Sequence, residues 1–282
     1  MRNFVLILLL FVLSCKKSFT ALYEATDEEQ VSLFSDTCIL SAINSRNSDQ
    51  IEESFTLNYS QISRGAVTSL VSNNGIINKT KTGRRVIIND TLSIFDGDSI
   101  FLTKQKKYVE RIVTSKKPLE LEFDQYEYRF IYKDSLLDSR LMYVNGDTIP
   151  YFESKYSYTN NQLVEVEMYF KPNNQLIFQT KFAYEKELKV KPWIYFYTDF
   201  FSLADHLLVF NFGVMPLGIL TDMESVYFDG DGVTKLGDWK VKFSNYKISK
   251  DNYVLRVSSA GQRIQSLPFL FQNTEFKYQC KK

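Results

Sequence analysis

Tyr126-Glu127-Tyr128-Arg129-Phe130-Ile131-Tyr132, followed by Lys133-Asp134-Ser135 and then by Leu136-Leu137, is the stretch whose reading decides the fold. Phe130-x-Tyr132 returns as Tyr156-x-Tyr158 and again as Phe182-x-Tyr184, each time 26 residues further on. In the first two units the correspondence continues through Leu137 and Leu163, Met142 and Met168, and Tyr143 and Tyr169. Turn-forming residues separate the apolar runs: Asn145-Gly146-Asp147, Thr159-Asn160-Asn161 and Pro172-Asn173-Asn174. Short apolar runs broken by such residues read as hairpins. Apolar and polar residues alternate across 164–169 and 176–182, a period of two that buries one sheet face and wets the other.

The same texture extends outward. Asp96-Gly97 lies between Leu92-x-Ile94-Phe95 and Ile100-Phe101-Leu102, and Asp229-Gly230-Asp231-Gly232 follows Val226-Tyr227-Phe228. Asp-Gly between apolar runs is a strong hairpin signal. Residues 119–123 and 239–243 alternate cleanly. Aromatic residues make up 15% of the chain, with 23 Phe and 18 Tyr, a bias that suits pleated, half-buried surfaces. The expectation is an all-β, mainly antiparallel fold: an extended or curved meander sheet of hairpins, with repeats over about 126–190. One segment differs. Residues 193–220 are rich in aromatic and aliphatic side chains but hold Asp199, Asp205, His206, Gly213 and Pro216. They are too polar for a membrane span. A short helix or apolar loop laid over one face or edge of the sheet is expected there, with Trp193, Tyr195, Tyr197, Phe200 and Phe201 as a hydrophobic ligand or partner surface if they are not core.

The N-terminus carries a separate signal. Met1-Arg2-Asn3 precedes an unbroken apolar run over 4–13, and Ser14-Cys15-Lys16-Lys17 follows. Ten helical residues span about 15 Å, half of a bilayer core. This reads as a signal-peptide core over 1–14, with Cys15 as the lipidation site. Residues 15–50 then form the lipidated Cys and tether, and 51–282 one β-rich envelope domain. With Cys15 acylated, Cys38 and Cys280 remain, a candidate disulfide in an oxidising compartment.

Catalytic and metal motifs are sparse. His206 is the sole histidine and no Gly-x-Ser-x-Gly elbow occurs, so a serine triad is poorly supplied. Counted from Asp229, the positions where a calcium loop needs Gly and Glu hold Thr234 and Lys240. Asp199, Asp205, Asp222 and Glu224 are carboxylates near aromatic residues, the raw material of a hydrolase, with nothing in their spacing to bring two together. No metal or other cofactor is expected. The formal charge of +1 and the lack of a polybasic block argue against nucleic acid.

The Leu13-Ser14-Cys15-Lys16-Lys17 junction and the run Tyr156-Ser157-Tyr158-Thr159-Asn160-Asn161-Gln162-Leu163 together resemble uncharacterised envelope lipoproteins of Bacteroidetes with tyrosine-aspartate (Rhs-type) hairpin repeats. That resemblance implies a β-rich fold held at the bacterial cell envelope by a lipid anchor, on the periplasmic or surface side of the outer membrane. It brings no activity and no catalytic residues. Three roles stay open: a non-catalytic binding or scaffold protein for a glycan or protein partner, a carrier of a lipid or other hydrophobic ligand, and, behind both, a carboxylate hydrolase.

Overall fold

The structure, a computed structural model, describes residues 38–46, 52–59, 67–74, 79–105, 107–115, 123–185, 190, 204–213, 218–261 and 273–280. In chain order the strands are β1 (Cys38–Arg46), β2 (Glu52–Tyr59), β3 (Val67–Asn74), β4 (Lys79–Asn89), β5 (Leu92–Phe95), β6 (Asp98–Leu102), β7 (Val109–Thr114) and β8 (Tyr126–Lys133). They continue with β9 (Leu136–Val144), β10 (Phe152–Thr159), β11 (Gln162–Phe170), β12 (Gln175–Tyr184), β13 (Leu220–Phe228), β14 (Lys235–Ile248), β15 (Val254–Gly261) and β16 (Asn273–Cys280). A short helix, α1 (Ala204–Val209), lies between β12 and β13. Each strand pairs antiparallel with its chain neighbours, and β1 pairs with β16, so the sheet closes into a barrel. The all-β, antiparallel expectation holds. The expected open or curved meander does not: the sheet has no free edge.

The turns explain why these residues pair as they do. Asp96 and Gly97 have φ of 52° and 89°, Asp134 and Ser135 50° and 69°, and Asn160 and Asn161 52° and 62°. Two successive positive φ values make the type I′ turn, whose twist matches that of the strands it joins. Asp, Asn and Gly tolerate that conformation best.

Closure divides the side chains into two populations. Inward residues are apolar and almost fully covered: Leu40, Ile43, Leu70, Phe95, Ile112, Tyr126, Leu137, Leu163, Val166, Phe178 and Val254 are each at most 1% exposed. They belong to one continuous core. A circular barrel of this strand number would leave an aqueous channel; here the interior is filled instead. Inward polar side chains satisfy one another across neighbouring strands, Ser45 with Thr274 at 3.0 Å and Thr180 with Ser225 at 2.8 Å. Arg140, 3% exposed, donates to Ser154 at 3.3 Å and stands over the Tyr128 ring. Outward residues are largely charged. Glu165, Lys181, Glu224 and Lys240 occupy one row across β11, β12, β13 and β14, alternating in sign, with Lys181 3.7 Å from Glu165 and Lys240 2.8 Å from Glu224.

Tyrosines near the ends of four strands, β8, β12, β14 and β16, tie successive hairpins together. Tyr132 of β8 donates its hydroxyl to the Val109 carbonyl at 2.7 Å, Tyr184 of β12 to Leu163 at 2.9 Å, Tyr246 of β14 to Leu220 at 2.6 Å and Tyr278 of β16 to Val254 at 2.9 Å. Each acceptor lies at or beside the start of the preceding strand. In the register, Tyr132 faces Leu137, Tyr158 faces Leu163, Tyr184 faces Leu220 and Tyr278 faces Leu40. Thus a leucine opposite one tyrosine offers its carbonyl to the next: Leu163 to Tyr184, Leu220 to Tyr246. Burial holds the Tyr184, Tyr246 and Tyr278 hydroxyls well above the ordinary phenol pKa. The Phe-x-Tyr spacing therefore records an inward core residue followed by a staple. It runs on past the expected repeat region to Phe276-x-Tyr278 and, with one extra residue at Asn245 (φ 53°), to Phe243 and Tyr246.

Two expectations change at the seam. The tether was expected to reach residue 50, but Cys38–Arg46 is a barrel strand paired on both sides, without which β2 and β16 would each be an exposed edge. The segment expected to cover a sheet face instead enters the barrel. The described part, 204–213, packs its Leu208, Val209, Phe210 and Phe212 into the same core. Phe212 meets Phe130 edge-on at 5.1 Å, Phe210 meets Phe95 at 5.8 Å, and Asn211 bridges to Tyr108.

Candidate functional site

The candidate residues from the sequence fall in three places. Cys15 and the aromatic set Trp193, Tyr195, Tyr197, Phe200 and Phe201 lie outside the described residues, as does Asp199. Cys38 and Cys280 face each other at the start of β1 and the end of β16, with sulfurs 2.04 Å apart and Cα atoms 3.9 Å apart. Asp222 and Glu224 share the outer face of β13. Glu224 is ion-paired to Lys240, whose hydrogen bond holds its carboxyl below the usual range. It is a solvated ion pair on an exposed strand face.

His206 sits inside the barrel, on α1. Its Nε2 is 2.9 Å from Asp98 Oδ2, and both side chains are buried, at 7% and 2% exposure. Phe95 packs edge-on to the imidazole at 5.4 Å. On the same wall Arg85 donates Nε to the buried Ser93 hydroxyl at 3.3 Å and stands 4.6 Å over the Phe210 ring. Burial lowers the Arg85 pKa to about 10. A nucleophile for the His–Asp pair is missing among the described residues, because Ser93 is engaged by Arg85. The arrangement anchors α1 to β5 and β6 rather than forming a triad.

The Asp229–Gly232 turn is likewise self-contained. Asp231 accepts from the Val233 and Thr234 amides, each at 2.8 Å, and from the Thr234 hydroxyl. Those bonds pull its carboxyl pKa down. No cluster of three metal-ligating side chains occurs among the described residues.

The outer wall of β4–β8 differs from the rest of the exterior. Val86 pairs with Ile94 in one register row, and in the row beside it Leu92 pairs with Phe101, Phe101 with Arg111 and Arg111 with Arg129, so apolar side chains on β4, β5 and β6 lead into two arginines on β7 and β8. Val86 is 48% exposed, Ile88 55% and Ile131 45%. A depression of about 440 Å³ opens beside Phe101, Glu110, Arg111, Arg129 and Ile131. The Arg111 guanidinium lies 3.9 Å over Phe101 and that of Arg129 lies 4.3 Å over Tyr143, stacked as cation–π pairs. Glu127 braces both, at 3.6 Å from Arg111 and 2.5 Å from Arg129. Its hydrogen bond raises the Arg129 pKa. These groups can bind and orient a ligand. Sequence reasoning did not single out this wall, because alternation along one strand does not say which strands lie side by side.

No protein-family model matches the chain, and no curated protein does either. Solved structures share its fold, two from Bacteroides among them. A porin-like protein from Bacteroides vulgatus ATCC 8482 matches with a TM-score of 0.57 at 13% identity, over 85% of this chain and 98% of that one. A porin-like protein from Bacteroides uniformis ATCC 8492 matches with a TM-score of 0.58 at 13% identity, over 89% and 100%. Both come from the bacterial group to which the sequence resemblance points, and at this identity the likeness shows the fold, a closed barrel of porin-like type.

Proposed function

We propose that this chain is a non-catalytic scaffold or binding protein of the bacterial cell envelope, held to a membrane by lipid on Cys15 and working through the outside of a filled barrel. One observation carries the reading: the polarity of the wall. A barrel that spans a bilayer turns an apolar band outward and keeps a polar lumen. This barrel does the reverse, with Leu, Ile, Phe and Met inside and the Glu165–Lys181–Glu224–Lys240 row outside. Each outward lysine at a bilayer midplane would cost about 2–4 kcal/mol. The filled interior opposes a channel, and it also gives no support to a carrier. The apolar run over 4–13 just before Cys15 and the seam at Cys38 suit a folded domain hung from a lipidated N-terminus.

The decisive experiment pairs two measurements on the full-length protein. Cys15→Ala is expected to move it from the membrane fraction to the soluble envelope fraction, and wild-type protein added to planar bilayers is expected to give no stepwise conductance. Retention of Cys15→Ala in the membrane, or reproducible single-channel steps, would overturn the proposal.

A further inference from the structure

We infer that the outer wall of β4–β8 lies against the phospholipid surface of the membrane that holds the protein. This rests on the lipid-anchored reading and adds an orientation to it. Three observations converge. The first is chemical. Exposed aliphatic side chains gather here, Val86 and Ile88 on β4 and Ile131 on β8, with Leu92, Ile94 and Phe101 partly exposed between them. The β11–β14 wall carries the alternating Glu and Lys row instead. Aliphatic branches suit the glycerol and upper acyl region of a bilayer. A sugar face calls for open aromatic rings, and here the Phe101 ring is already covered by Arg111.

The second is electrostatic. Arg84, Arg111 and Arg129 lie on this wall with Glu110 and Glu127. The arginines thus outnumber the acids, and guanidinium groups beside aliphatic residues can reach lipid phosphates while their stems stay on apolar surface. The third is the point where the chain leaves the barrel. Cys38 begins β1 at the end that also holds the 89–92 and 133–136 turns, so Cys38, Val86–Ile88 and Ile131 share one end. β4 is three strands from β1, about 14 Å at the usual strand spacing. The 22 residues from Lys16 to Thr37 can span at most about 75 Å, so an anchored barrel stays within reach of the bilayer.

The test uses full-length, lipidated protein in vesicles of phosphatidylethanolamine and phosphatidylglycerol. Ile88→Cys, Ile131→Cys and, on the opposite wall, Lys181→Cys are each labelled with an environment-sensitive fluorophore. The Cys38–Cys280 pair is left oxidised, so that only the added thiol reacts. The expected result is a blue shift and quenching by brominated lipid at 88 and 131, with neither at 181. Vesicle-bound protein whose three sites respond alike, or whose 88 and 131 sites stay unquenched, would overturn the docking and leave the anchor standing. Protein that fails to float with the vesicles would overturn the anchor and the docking with it. Two labelled positions on the wall guard against a local fault at one of them.

Discussion

Replacing Tyr184 by Phe removes one staple and nothing else of comparable size. The hydroxyl donates to the Leu163 carbonyl at 2.9 Å, and the ring packs against the core, where Phe can replace it. A net hydrogen bond of this kind is worth about 1 kcal/mol, so Tyr184→Phe should be less stable by that amount at pH 7. The pH dependence makes the test sharper. Burial raises the Tyr184 pKa far above its ordinary value of 10.0. The neutral hydroxyl is therefore favoured in the folded state. Its contribution is fully present below the unfolded pKa and is lost as pH rises from there toward the folded pKa. Above pH 10 the wild type should lose about 1.4 kcal/mol per pH unit through this one group, a loss that Phe cannot suffer. The deficit of about 1 kcal/mol should shrink to zero between roughly pH 10 and 11 and then reverse. Urea unfolding followed by circular dichroism, under non-reducing conditions at pH 7, 9, 10 and 11, reads the difference directly. A stability gap that stays constant from pH 7 to 11 would refute the staple as a buried, proton-bearing bond.

Three further outcomes follow from the packing. Loss of the Cys38–Cys280 bond in Cys280→Ser should lower stability by up to about 5 kcal/mol on the chain-entropy model, measured as the urea midpoint with and without reductant; reductant should then have no further effect on the variant. His206→Ala removes a buried hydrogen bond to Asp98 together with the imidazole packed on Phe95 and should cost about 1–3 kcal/mol, with faster hydrogen exchange over 204–213 than over β10–β12. Gly83→Ala would set a Cβ 2.7 Å from the Phe95 ring, which is itself wedged against His206 and Phe210, and should cost about 1–3 kcal/mol in the same denaturation assay.

Local chemistry was legible where it is local. Asp96-Gly97 and Asn160-Asn161 need positive φ, and the runs beside them alternate, so the hairpins could be read residue by residue. Closure could not. The bonds that close the barrel run between Cys38–Arg46 and Asn273–Cys280, and nothing in the first of these segments names its partner in the second. The Phe-x-Tyr motif was visible but its meaning was not, because the hydroxyl acceptor lies on a neighbouring strand, 23 residues away for Tyr132 and 26 for Tyr246. Lys191-Pro192 masked the recurrence by marking the start of an excursion that includes α1, after which the pattern resumes in β14 and β16. His206 read as structural from its apolar surroundings, yet its partner Asp98 belongs to a turn that signals only a hairpin. The apolar outer wall was likewise invisible, since Val86, Leu92, Phe101 and Arg129 become neighbours only when β4–β8 stand side by side.

The seam between β1 and β16 has a kinetic consequence. The first of the described strands finds one of its two partners only when the last of them arrives, 242 residues later at the Cys38–Cys280 pair. Such long-range pairing forms slowly, because most of the chain must already be in order before it is rewarded. Until then β1 and β16 each present an unpaired edge that can template association with another copy. The barrel is therefore most exposed to misassembly just before it closes, and a thiol oxidant that bonds Cys38 to Cys280 would act as a latch on that final step.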